Sequence, residues 1–153
     1  MIAIRVLPIW GMENEDFGEA LVISIVSPGM EHPKIKGTNI YRFNFYDVTE
    51  EYFIESQNRI IRLMEKEIAE SIAQIAMDNR DCDRWVIHCE AGISRSPGVA
   101  IGLAKFIALR PDRSQLMKMF PSYNKYVAVL IEEAMQVEVD KIIQGLGTGV
   151  IGG

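Results

Sequence analysis

Residues 87–98 read "IHCEAGISRSPG", and the types able to do chemistry in that stretch are Cys89, Gly92, Arg95 and Ser96. A thiol stands at one end of a short run of small residues, with an arginine six positions on. A guanidinium is a planar fork that grips two oxygens of a phosphate or similar oxyanion. Gly92 permits a backbone conformation that other residues resist. In a loop entering a helix near Ser96, the backbone N–H groups of Glu90, Ala91, Gly92, Ile93, Ser94 and Arg95 can turn inward as an anion cradle, helped by the helix N-terminus. The same positive field favours the thiolate of Cys89 at neutral pH. The set amounts to a sulfur nucleophile under an oxyanion pocket, suited to attack on a phosphate ester. Singly, each residue has a plainer use, since a cysteine after an apolar strand is commonly packing. Their joint occurrence between a strand and a helix is what points to chemistry.

The elements that must position this loop are legible around it. The apolar, β-branched runs 2–9 and 20–27 predict buried strands, Pro28-Gly29 closing the second. Residues 39–45 alternate and predict a third strand, followed by a loop at Tyr46-Asp47-Val48. From 50 to 78 the spacing of Ile60, Met64, Ile68, Ile72 and Ile75 predicts a long helix, with a possible break near Ser56. Residues 84–88 predict the strand that ends at His88, and 96–109 the helix that follows, with Ser96 near its N-cap and Pro97 in its tolerated first turn. "RPD" at 110–112 is a break, and 113–120 and 122–138 predict two more helices, the second capped by Ser122. Strands alternating with helices predict an α/β fold with a mostly parallel central sheet flanked by helices. Ligands in such sheets bind off the carboxyl ends of the strands, where Cys89 falls.

A chain of 153 residues suits one domain with a real core, here 1–144, ahead of a glycine-rich tail, 145–153, expected to be mobile. With 48% hydrophobic and 24% charged residues it has the balance of an ordinary globular protein. The net charge of −5 argues against a nucleic-acid partner, which needs a basic surface. No apolar run is long enough for a membrane span, and the N-terminal residues lack the pattern of a secretory signal. Two cysteines make no disulfide framework. Cys82 and Cys89 sit at opposite ends of the predicted strand, roughly 20 Å apart at about 3.3 Å per residue. The expected compartment is a reducing cytoplasm, where a free thiol persists.

The stretch "HCEAGISRS" resembles the Cys-x5-Arg-Ser/Thr signature of the protein tyrosine phosphatases and dual-specificity phosphatases, in the preceding His88 and the central Gly92 as well. The similarity extends more loosely over about 20–108, including "FNFYDV". The resemblance implies a phosphotyrosine protein phosphatase-like fold, no cofactor and no metal. It implies that Cys89 forms a phosphocysteine, and that Arg95 binds the phosphoryl oxygens and stabilises the transition state. Ser96 would hydrogen-bond the sulfur, His88 would support the loop, and the N–H groups of residues 90–95 would bind phosphate.

A phenolate or alkoxide leaving group also needs a proton. The family uses an aspartate on a separate upstream loop, and Asp47 is the candidate, after a strand and over the same sheet edge. Its plainer use is a helix cap. It lies 42 residues before Cys89, longer than the usual family separation. Glu50 and Glu51 are the fallback acids. Asp78, Asp81 and Asp83 fall at the opposite end of the strand. His32 is expected on a surface loop, and "FPSYNKYV" as a plain helix start. The loop carries no lysine, and Glu90 would repel an inositol polyphosphate if it faces the pocket. A monophosphate is therefore expected, on a phosphorylated protein or a small ester: phosphotyrosine first, phosphoserine or phosphothreonine second. Two rival readings remain: a phosphate-binding pseudophosphatase module, and a rhodanese-like sulfur-transfer enzyme with a persulfide on Cys89. The oligomeric state is not legible.

Overall fold

The computed structural model describes the backbone of residues 1–152 and the side chains of residues 1–146. The expectation of a mobile tail over 145–153 falls almost wholly outside the described side chains. Five strands form one sheet: β1 (Ile2–Pro8), β2 (Leu21–Val26), β3 (Ile40–Asn44), β6 (Arg84–Cys89) and β7 (Leu109–Arg110). Their order is β3-β2-β6-β1-β7, and every pairing is parallel. The α/β expectation therefore holds, and β6 lies at the centre with Cys89 at its carboxyl end.

Parallel central strands are buried on both sides, which is why β2 is apolar almost without alternation and buried throughout. The four helices are α1 (Lys66–Asp78), α2 (Arg95–Ala104), α3 (Arg113–Met119) and α4 (Lys125–Gly152). Their buried residues join Ile4, Ile23, Ile25, Trp85 and Ile87 in one core. Val22 and Val86 point the other way, into a smaller cluster with Met12, Phe17 and Ala20. That face is covered by connecting segments, not helices. Ser24 and His88, in register across β2 and β6, continue it toward the carboxyl edge.

The long helix expected over 50–78 is a correction. Only its second half is helical. Residues 52–61 form an antiparallel hairpin of β4 (Tyr52–Ile54) and β5 (Arg59–Ile61). Asn58 turns the chain with φ at 46°, a left-handed conformation that asparagine tolerates better than most residues. Tyr52, Phe53, Ile54, Ile60 and Ile61 are β-forming types that the four-residue periodicity hid. Helix α2 starts at Arg95, with Ser94 as the boundary residue in place of Ser96. Helix α4 starts at Lys125, three residues after the expected start at Ser122. Among the described residues no helix is long and apolar enough to cross a membrane.

Helix α2 is the buried middle layer, all its residues from Arg95 to Leu103 being buried. It lies close against α4 because Gly98 and Gly102 carry no side chain there. A Cβ at Gly102 would stand 2.7 Å from the Ile131 Cβ and 2.8 Å from the Ala128 carbonyl oxygen. Gly102→Ala is expected to lower stability by about 1–3 kcal/mol, read as a drop of several degrees in Tm. Gly145→Ala, with open space around its Cβ, should leave Tm unchanged or raise it slightly.

Candidate active site

The loop after β6 is shaped by close backbone packing. Gly92 has φ at +73°, and a Cβ there would lie 2.6 Å from the Pro8 nitrogen. Only glycine lets the loop turn this tightly against the end of β1. The Ile9 N–H donates to the Glu90 carbonyl at 3.1 Å and pins the loop to the same segment. Among the described residues, the backbone N–H groups of Ala91, Ile93, Ser94 and Arg95 donate to no protein acceptor. They are free to serve an anion.

Cys89 is buried. The Gly92 N–H donates to its Sγ at 3.3 Å, and the Ser96 hydroxyl lies 3.1 Å from it. One backbone N–H and one hydroxyl thus stand within hydrogen-bond reach of the sulfur. The sequence expectation for Ser96 is thus met in position, on the first turn of α2. Cys82 is also a free thiol, at the far end of β6, as expected.

Arg95 is 4% exposed. Its Nη1 donates to the Ser27 hydroxyl at 3.0 Å and to the Phe45 carbonyl at 2.8 Å. Its Nη2 lies 3.2 Å from Glu90 Oε1. Its Nε is buried without a partner. Nε and Nη2 share one edge of the guanidinium, the geometry that can grip two oxygens at once.

The Glu90 carboxylate is engaged within the protein. The Ser27 N–H donates to it at 2.9 Å, and Arg95 pairs with it. Burial alone would raise its pKa. The Ser27 backbone and hydroxyl and the Arg95 guanidinium outweigh that and hold it below the usual carboxylate range.

Asp47 reaches the loop from the β3 side. Its Oδ1 accepts from the Ser94 hydroxyl at 2.7 Å and from Asn124 Nδ2 at 2.9 Å. With both donors on Oδ1, a proton on this carboxyl belongs on Oδ2. Ser94 spends its hydroxyl on Asp47 and makes no side-chain cap on α2. Glu50 lines the groove beside Asp47 and Ser94, whereas Glu51 is merely exposed. Asp78, Asp81 and Asp83 line a different depression, at the other end of the sheet.

Two residues outside the expected set join the site. Asn124 is buried and central to it. Its Nδ2 also donates to the Val48 carbonyl at 3.1 Å, its N–H donates to the Ser94 carbonyl at 3.0 Å, and its Oδ1 caps α4 through the Val127 N–H. Asparagine is among the best N-caps, a signal in "FPSYNKYV" passed over in favour of Ser122. His32 is the other. It is half-buried rather than a free surface side chain, 2.7 Å from the Ser24 hydroxyl, which in turn lies 2.5 Å from His88 Nε2. Nothing in the spacing of a loop histidine foretold that contact.

His88 supports the loop through its Nδ1, 3.2 Å from the Cys89 carbonyl. Burial pushes its pKa down to about 4, more than the Cys89 carbonyl bond raises it. Among the described residues no cluster of three or more His, Cys, Asp or Glu side chains is arranged to hold a metal. Compared with known proteins, the chain matches no family model and no curated protein.

Two predictions follow from this geometry. The folded-state pKa of His88 lies below the unfolded value of 6.5, so the unfolded chain binds the extra proton. Its contribution is complete above about pH 6.5 and is lost as pH falls toward 4, by up to about 3 kcal/mol. Denaturant unfolding at pH 7 and 4.5 should show a smaller acid loss in His88→Gln than in wild type. For Asn124, Asp retains the helix cap but loses both donor bonds, whereas Ala loses everything. Asn124→Ala should melt about 1–2 kcal/mol less stably. Asn124→Asp should keep its Tm within a few degrees, yet release the Asp47 loop, seen as faster amide exchange at residues 46–49.

Proposed function

We propose that this chain is a cysteine-dependent phosphatase that hydrolyses phosphate monoesters through a phosphocysteine, with a fold of the phosphotyrosine protein phosphatase type. The single observation that carries the reading is the orphan Nε of buried Arg95. A buried donor without a partner costs roughly 1–3 kcal/mol, and an oxyanion on that edge removes the cost. The free N–H groups of the loop and the sulfur of Cys89 belong to the same turn of chain, at the carboxyl end of the central strand.

In the first step the Cys89 thiolate attacks phosphorus. The S–P bond forms, the bond from phosphorus to the ester oxygen breaks, and the Asp47 proton passes to that oxygen. Arg95 and the loop amides hold the equatorial oxygens, where charge is spread in the transition state. In the second step a water attacks phosphorus and gives its proton to Asp47. The S–P bond breaks, and the Ser96 hydroxyl and Gly92 N–H stabilise the departing thiolate. These residues supply nucleophile, acid and charge stabilisation, so the proposed reaction is metal-independent.

The expected substrate is a phosphorylated protein or a small aryl phosphate, phosphotyrosine before phosphoserine or phosphothreonine. Ile93 at the loop tip is 55% exposed, and Trp10, one residue beyond the strap to Glu90, is 76% exposed. Exposed apolar side chains on and beside the loop suit an aromatic leaving group. A reducing compartment is proposed with it, because the nucleophile is a thiol.

Hydrolysis of para-nitrophenyl phosphate with chelator present is the test. Wild type should turn over and Cys89→Ser should not, while the variant still binds vanadate. A folded wild type that binds vanadate without turnover would support a pseudophosphatase. Sulfur transfer from thiosulfate to cyanide would support the rhodanese-like alternative. Asp47→Ala should slow phenyl phosphate about 10²-fold or more, and an ester with a good leaving group far less. Equal slowing of both would assign the proton to another group.

A further inference from the structure

Behind the loop runs a chain of four hydrogen bonds. It starts at the Cys89 carbonyl oxygen, 3.2 Å from His88 Nδ1. His88 Nε2 lies 2.5 Å from the Ser24 hydroxyl, which lies 2.7 Å from His32 Nδ1. His32 Nε2 lies 3.2 Å from Asn44 Oδ1. The Asn44 amide is oriented independently, since its Nδ2 donates to the Ser27 carbonyl at 3.3 Å. Turning it over would set two oxygens face to face with no proton between them.

Both ends of the chain are therefore acceptors. Four bonds need four protons. A hydroxyl and two neutral imidazoles bring three. One ring must carry the fourth. His88 is fully buried, and its burial, with the charge of Arg95, disfavours a proton there. The half-buried His32 ring remains. Arg95 is the cation that acts on His88, and its own partner Glu90 has its carboxylate held by Arg95 and Ser27.

We propose that His32 is a positioning residue of the nucleophile loop, held as an imidazolium that fixes the Ser24–His88 chain and puts a positive charge behind Cys89. Its ring donates through Nδ1 to Ser24, Ser24 donates to His88 Nε2, and His88 donates through Nδ1 to the Cys89 carbonyl. The loop backbone is thereby tied to β2 and to the segment 27–39. The cation adds to Arg95 in favouring the thiolate. The inference rests on Cys89 as nucleophile, and its readouts need no turnover, so it stands or falls separately from the phosphatase reading.

The test combines nitrogen NMR of the two rings with alkylation of Cys89 by iodoacetamide across pH, followed by the mass of the Cys89 peptide. In wild type at pH 7, His32 should show two protonated ring nitrogens and His88 one, on Nδ1. His32→Ala and Ser24→Ala should each slow alkylation below neutral pH by about three- to tenfold, as expected for losing one partly screened charge. The double variant should be no slower, because the two act as one chain. His32→Asn keeps a donor toward Ser24 without the charge. It should hold the His88 signal in its native tautomer while leaving the alkylation curve displaced to higher pH. A neutral His32 in wild type would overturn the proposal, as would an unchanged alkylation curve in His32→Ala or additive effects in the double variant. The wild-type spectrum keeps the test decisive if a variant fails to fold.

Discussion

A guanidinium taken out of water must be answered from every side it presents, and that requirement organises the carboxyl edge of this sheet. Arg95 is met by Ser27 just past β2, by Phe45 just past β3 and by Glu90 just past β6. One buried cation thus gathers the ends of three adjacent strands. Removing Glu90 would leave that charge uncompensated where water cannot repair it, and removing the Ser27 hydroxyl would leave Nη1 one acceptor short. The Nε left over has no hydrogen-bond partner, and the proposed chemistry uses it. Structural demand and ligand demand meet on one side chain.

Around that cation the second tie is the Asn124 amide. It caps α4 and holds the loop that carries Asp47, while the backbone N–H of the same residue donates to the Ser94 carbonyl of the nucleophile loop. A helix start, a possible acid and the anion cradle therefore share one rigid support. Glycine has a parallel role in the helices. Gly98 and Gly102 let α2 sink between the sheet and α4, which aims the N-terminus of α2 from the buried middle layer. The unequal covering of the sheet also matters. Helices seal one face, and connecting segments seal the other, so His32 can reach Ser24 and His88 from a segment with no regular structure.

The parts of the fold that were legible were those where one physical signal dominated. β1, β2 and β6 are short and apolar, and the capping box of α3, Asp112 with Gln115, sits where "RPD" ends. The stretch 50–64 was misread because Ile60 and Met64 are spaced as on a helix while belonging to a hairpin and a linker. Periodicity sampled over two isolated residues cannot separate the two cases. β-branched and aromatic composition, with Asn58 at a turn, carries the better information. Ser122 and Asn124 were both sound caps, and the choice between them was made by Asp47, a residue 77 positions away from Asn124.

By itself the sequence determined the α/β alternation, the strand–loop–helix at 84–104 and the chemical types within the loop, because these depend on neighbours a few residues apart. It also marked Asp47 as a polar group at the right edge of the sheet. Tertiary structure alone decided that Glu90 braces Arg95, that both donors to Asp47 choose the same oxygen, and that His32 completes a chain to Cys89. Each of those depends on hydrogen-bond partners distant in sequence, and a buried polar group takes its role from whichever partner the fold brings within reach.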